Sequence, residues 1–163
     1  MKRTWTVLLV AGTVAALLVL ASTAKKGIPS LPVVQAQEGN SGCSLASLNG
    51  RYAVEGQGTV VAQLPGFPPP PAPQGEVDIV TLNGAGSFSG SATLNIGGLV
   101  LKSVAFTGNY TVNSDCTGTA TVNTSLGLTL HNAMVVIGGG QRFIETETDP
   151  FQVIQRRGQR LGD

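Results

Sequence analysis

A two-residue period runs from Arg51 almost to the C-terminus and limits the fold more than any other feature of the chain. In "RYAVEGQGTVV", Tyr52, Val54, Gly56, Gly58 and Val60 share one face, with Arg51, Glu55, Gln57 and Thr59 on the other. "GSFSGSATLN" sets Phe88, Gly90, Ala92 and Leu94 against Ser87, Ser89, Ser91 and Thr93. Phe106, Gly108, Tyr110 and Val112 oppose Thr107, Asn109 and Thr111, and beyond a turn Ala120 and Val122 oppose Thr119, Thr121 and Asn123. Successive side chains of a strand point to opposite sides, so this is the pattern of half-buried strands. Turn residues punctuate it: Asn83-Gly84, "NIGG" from Asn95, "SDCTG" from Ser114, "GGGQ" from Gly138, and "DPFQ" from Asp149. Eight segments result, at about 51–62, 76–82, 87–95, 99–112, 118–125, 127–137, 141–148 and 152–159. The expected fold is all-β: an eight-stranded antiparallel up-and-down barrel, closed so that no strand edge is left unpaired.

Ahead of the barrel lies an N-terminal signal segment. Lys2 and Arg3 precede the apolar run Val7–Leu20, the layout of an export signal. Residues 1–36 are read as signal peptide, with cleavage after Val34-Gln35-Ala36 preferred to Ser22-Thr23-Ala24; the rival reading is an uncleaved anchor. Residues 37–50 form an extended approach and 51–159 the barrel domain, interrupted by a proline-rich loop at 63–76, "QLPGFPPPPAPQGE". That loop is expected to lie stiffly across one barrel mouth. The localisation expected is secreted or periplasmic, with no membrane association after processing. A membrane barrel is disfavoured because the Ser/Thr/Asn face would have to line its lumen while few aromatics are available to girdle it.

Removing the signal changes the charge. Lys2, Arg3, Lys25 and Lys26 all precede Ala36, so the remainder carries six basic and nine acidic residues, a net of −3. Without a basic face to neutralise phosphates, nucleic acid is excluded as a partner. Two cysteines outside the cytoplasm favour a disulfide between Cys43 and Cys116 over a reactive thiol, since no base or cation neighbours Cys116.

"SLASLNGRYAV", "LNGAGSFSG", "FTGNYTVNSDCTGTATV" and "RFIETETDP" resemble small exported bacterial proteins of the allene-oxide-cyclase-like barrel family, over about residues 43 to 158. The resemblance implies a barrel with its function in the interior. Plant allene oxide cyclases, dirigent proteins and bacterial cyclases of polyketide-derived rings share that barrel, and their apolar interiors fold a flexible substrate so that its reacting ends meet. No catalytic residue of those enzymes matches a position here.

The candidate residues follow from the strand faces. Tyr52, Phe88, Phe106 and Tyr110 are the expected lining of an interior that holds an apolar small molecule. The glycines among them either leave a cavity or mark tight-packing points in a filled core. In the last hairpin Glu145 pairs with Arg156, and Phe143, Glu145, Glu147, Ile154 and Arg156 share a face. Inside the barrel, Glu145 and Arg156 would orient a ligand's polar end or act in acid–base chemistry. Ile144 and Val153 are better core material, which favours the Glu face outside. His131, the only histidine, has no second ligand spaced for a metal; no metal and no cofactor are expected. "LVLKSVAF" and "LGLTLHNAMVVI" are apolar on both faces, which is expected either of a homo-oligomer burying part of the outer wall or of the proline-rich loop or the approach from Cys43 lying over it. Three functions stay open: accommodation of an apolar small molecule, a cyclase or isomerase acting by confinement, and a structural or surface-interaction protein with a filled barrel.

Overall fold

A computed structural model describes residues 42–162, and the signal-segment expectations lie outside them, as do 37–41 of the approach. A short 3-10 turn at Leu45–Ser47 leads into eight strands: β1 Asn49–Val60, β2 Ala72–Asn83, β3 Ser87–Ile96, β4 Leu99–Val112, β5 Thr117–Thr124, β6 Thr129–Ile137, β7 Arg142–Glu147 and β8 Gln152–Arg160. They form a closed antiparallel barrel in sequence order, with β8 returning to β1. Among the described residues no helix is long and apolar enough to cross a membrane.

Seven strands lie within two residues of the expected bounds. The exception is β2, which starts at Ala72 inside the stretch read as loop. Pro73 pairs with Thr59 of β1, while β3 joins only from Gln74 onward. Toward β3, Pro73 offers only its carbonyl, which accepts from the Gly97 N–H at 2.8 Å. Proline is tolerated at a strand start where no ladder donor is required.

Burial alternates along the strands as the sequence implies, with the Ser87/Ser89/Ser91/Thr93 face outside. Of the two doubly apolar strands, β6 alternates without interruption and β4 is resolved by a bulge. Between Ala92 and Leu94 the β3–β4 register slips, because Ser103 takes a left-handed φ of 55°. Leu101 pairs with inward Leu94 and Val104 with inward Ala92, so both face inside although three residues apart. Val100 and Val135 are left on the outer wall, exposed at 50% and 48%.

The inward glycines serve close packing. Gly90 pairs with Phe106 and Gly108 with Phe88 across β3–β4, and Gly158 pairs with Phe143 across β7–β8. In each case the ring occupies the space a Cβ would need. The aromatics thus lie flat over neighbouring glycines and cover backbone that would otherwise be bare.

One end of the barrel is shut by the residues before β1. The disulfide Cys43–Cys116 anchors this approach to the β4–β5 turn. Leu48 is fully buried, and the Tyr110 hydroxyl donates to the carbonyls of Leu45 (3.2 Å) and Leu48 (3.0 Å). At this end the Tyr52 hydroxyl donates to the Gly140 carbonyl at 2.6 Å and accepts from Arg160, which also donates to the Ser47 carbonyl at 2.8 Å. At the opposite end the proline-rich loop crosses the mouth, and its Leu64 and Phe67 pack on Val60, Ala72 and Ile96.

Candidate functional site

The barrel encloses a cavity of about 110 Å³. Its wall is mostly aliphatic and aromatic, and it rises to the mouth rimmed by Leu64, Phe67, Leu126 and Leu128. Such a volume lies below the usual ~300–1,000 Å³ of drug-sized pockets and nearer the ~150 Å³ engineered void that takes up benzene. The space suits a compact guest.

Of the four aromatics expected to line it, Phe88, Phe106 and Tyr110 do. Tyr52 does not: it is fully buried, and its hydroxyl ties Gly140 and Arg160 together at the closed end. His131 is also away from the site. Its side chain is 54% exposed, and its Nδ1 sits 3.1 Å from Asp149 Oδ1 on the surface.

The expectation for the last hairpin is reversed. Glu145, Glu147 and Arg156 point inward with Phe143 and Ile154, while Val153 lies outside at 66% exposure. The β7–β8 register places Glu145 opposite Arg156, and β6 sets Asn132 opposite Glu147. Arg156 is not limited to its own hairpin. Gly56 of β1 pairs with Glu76 on one side and with Arg156 on the other, and its missing side chain lets the two reach across β1 and meet. A Cβ on Gly56 would lie 2.6 Å from Glu76 Oε1, 2.8 Å from Glu76 Cγ and 2.9 Å from Arg156 Cγ. The Arg156 Nε–H donates to Glu76 Oε1, and Nη1 lies 3.3 Å from Glu147 Oε2, 3.4 Å from Asn132 Oδ1 and 3.9 Å from Glu145 Oε1. Gln74 Nε2 donates to the other Glu76 oxygen at 2.9 Å, and Asn132 Nδ2 donates to Glu145 at 3.3 Å.

Three carboxyl groups therefore crowd one guanidinium in an apolar enclosure, and Asp78 lies two residues along β2 from Glu76. Burial works against the charge on Arg156, but Glu76, Glu145 and Glu147 overcome it and hold the guanidinium firmly protonated. The carboxyls respond oppositely. Burial, then the charge of Glu76, pushes Asp78 up to about 7, and burial chiefly pushes Glu147 to about 7. Burial also raises Glu145, against the pull of Arg156. Three acceptor atoms in this wall have no partner: Gln74 Oε1, Asp78 Oδ1 and Glu147 Oε1. Gln74 and Asp78 line the cavity.

Sequence reasoning found Glu145 and Arg156 but not Glu76, Asp78 or Gln74. The signal was a glycine on an inward face between two long polar side chains, visible only once strand register is known. Among the described residues no cluster of His, Cys, Asp and Glu is arranged to hold a metal ion. No protein-family model matches the chain, nor does any curated protein or solved structure.

Proposed function

We propose that this protein is an exported barrel that accommodates a compact apolar molecule, taken in past the proline-rich loop, with the guest's polar end at the Arg156 wall. The supporting observation is the cavity itself: an apolar enclosure in which unpartnered polar atoms converge on one side. Buried polar groups without partners are costly, and a guest supplying hydrogen bonds there lowers that cost. The Cys43–Cys116 bond agrees with an oxidising compartment. Native mass spectrometry of protein purified from its own source is expected to show a retained small-molecule adduct. An adduct-free mass, together with no response of the cavity to a library of apolar compounds, would overturn the proposal.

A second reading, a cyclase or isomerase working by confinement, is favoured by Asp78. Its carboxyl lines the cavity, has one unpartnered oxygen and sits at about 7, where a group both gives and takes a proton near neutral pH. The resemblance to the allene-oxide-cyclase-like barrels supports the same reading. Turnover of a flexible substrate that Asp78→Asn abolishes while binding persists is the result expected of an enzyme; turnover unchanged in that variant would remove Asp78 from the chemistry.

A further inference from the structure

The chemistry of the guest's polar end can be read from the wall it meets, and this step rests on the binding function proposed above. Glu76, Glu145 and Glu147 face a single cation, Arg156, whose Nε and Nη1 are directed at Glu76, Glu147 and Asn132, and Asp78 lies two residues along β2 from Glu76. The other described lysines and arginines lie elsewhere: Arg160 is engaged with Tyr52 and Ser47 at the closed end, and Arg51, Lys102, Arg142 and Arg157 are exposed. Above about pH 7, where Asp78 and Glu147 ionise, a carboxylate or phosphate head would meet more negative than positive charge.

Gln74 adds a second, independent observation. The residue is only 7% exposed, and its Nε2 donates to Glu76 Oε2. Its Oε1 is therefore a buried acceptor without a donor, on the same cavity wall as the unpartnered Asp78 Oδ1. These two positions ask for hydrogen-bond donors, and the surrounding carboxyls ask for positive charge. A hydroxyl brings one donor and no charge; a primary ammonium brings three donors and a unit charge.

We infer that the guest is a compact apolar primary amine, bound as its ammonium on the β2 side of the cavity that carries Gln74, Glu76 and Asp78. Raising the pH through the Asp78 value of about 7 ionises that carboxyl and strengthens the site, with Glu76, Glu145, Glu147 and Arg156 as the other charges facing it.

The test uses three probes of equal length, hexylamine, hexan-1-ol and hexanoate, added to the purified protein carrying ¹³C-methyl methionine. The chain has two methionines, and Met134 lines the cavity, so its methyl signal reports occupancy. At about pH 8 hexylamine is expected to bind at least ~10-fold tighter than hexanol, with hexanoate weakest. Amine affinity is expected to rise from about pH 6 to 8 while hexanol affinity stays flat. Asp78→Asn, checked for folding by circular dichroism, is expected to bring the amine down to the alcohol. Hexanol or hexanoate binding as tightly as hexylamine, an amine affinity that does not rise with pH, or a preference unchanged in Asp78→Asn would each overturn the amine assignment and leave the binding function standing. No response of Met134 to any of the three would overturn both.

Discussion

Adding one methyl group at Gly56 is expected to break the buried Arg156–Glu76 pair. The added Cβ would lie 2.6–2.9 Å from Glu76 Oε1, Glu76 Cγ and Arg156 Cγ, so the stems of both side chains must move, not only their tips. Separating the partners of a buried ion pair costs about 3–5 kcal/mol. Replacing glycine by alanine stiffens the unfolded chain and returns about 0.4–1 kcal/mol. Gly56→Ala is therefore expected to destabilise the barrel by about 2–4 kcal/mol, a fall in melting temperature on the order of 10 °C. Urea unfolding followed by far-UV circular dichroism reads this as a lower midpoint at unchanged slope. Gly75→Ala is the control: it lies on the neighbouring strand, nothing comes within 4 Å of its added Cβ, and about ±0.5 kcal/mol is expected. A loss below about 1 kcal/mol for Gly56→Ala would refute the reasoning. So would an equal loss in a background already carrying Arg156→Met and Glu76→Gln, because the penalty would then not come from the pair.

Two further outcomes follow from the same geometry. Asp78 and Glu147 sit at about 7 in the folded protein, against ordinary values of 3.8 and 4.5, mainly through burial. The folded state thus keeps protons that the unfolded chain has released, so this contribution is full below the ordinary values and is lost as pH rises through about 7. The urea midpoint is expected to fall from pH 5 to pH 8, by on the order of a few kcal/mol in stability, less so in Asp78→Asn; a flat or rising midpoint would contradict it. The disulfide spans 73 residues, and replacing both cysteines by serine is expected to cost about 4 kcal/mol by loop-closure entropy. Amide exchange should quicken first at Leu45–Leu48, and a loss under about 1 kcal/mol would show that the approach holds without its staple.

The barrel was legible because its signal is local: a two-residue period and turn chemistry require no knowledge of strand partners. The polar wall was not, because its geometry lives in the register. Within the last hairpin both faces offer apolar side chains, and choosing Ile144 and Val153 as core material was reasonable for that segment alone. What decides the matter is β1. Val60, Val54 and Tyr52 fix its inner face, Gly56 and Gly58 fall on that face, and the pairings Gly56 with Arg156 and Gly58 with Ile154 turn the even-numbered residues of β8 inward. Charged groups then go inside because a neighbouring strand supplies their partner, Glu76. The start of β2 was missed for the opposite reason, since Pro73 argues against a strand except where no donor is needed. "LVLKSVAF" reads as apolar on both faces only if the period is unbroken across Ser103, where the bulge resets it and turns Leu101 and Val104 to the same side.

Among the described residues, the approach sealed by Cys43–Cys116, Leu48 and Tyr110 makes the barrel a cup, not a tube. Anything held inside has a single door, and a competitor cannot push from behind. Replacement of one occupant by another must wait for the first to depart, so the exchange rate should be indifferent to how much competitor is supplied.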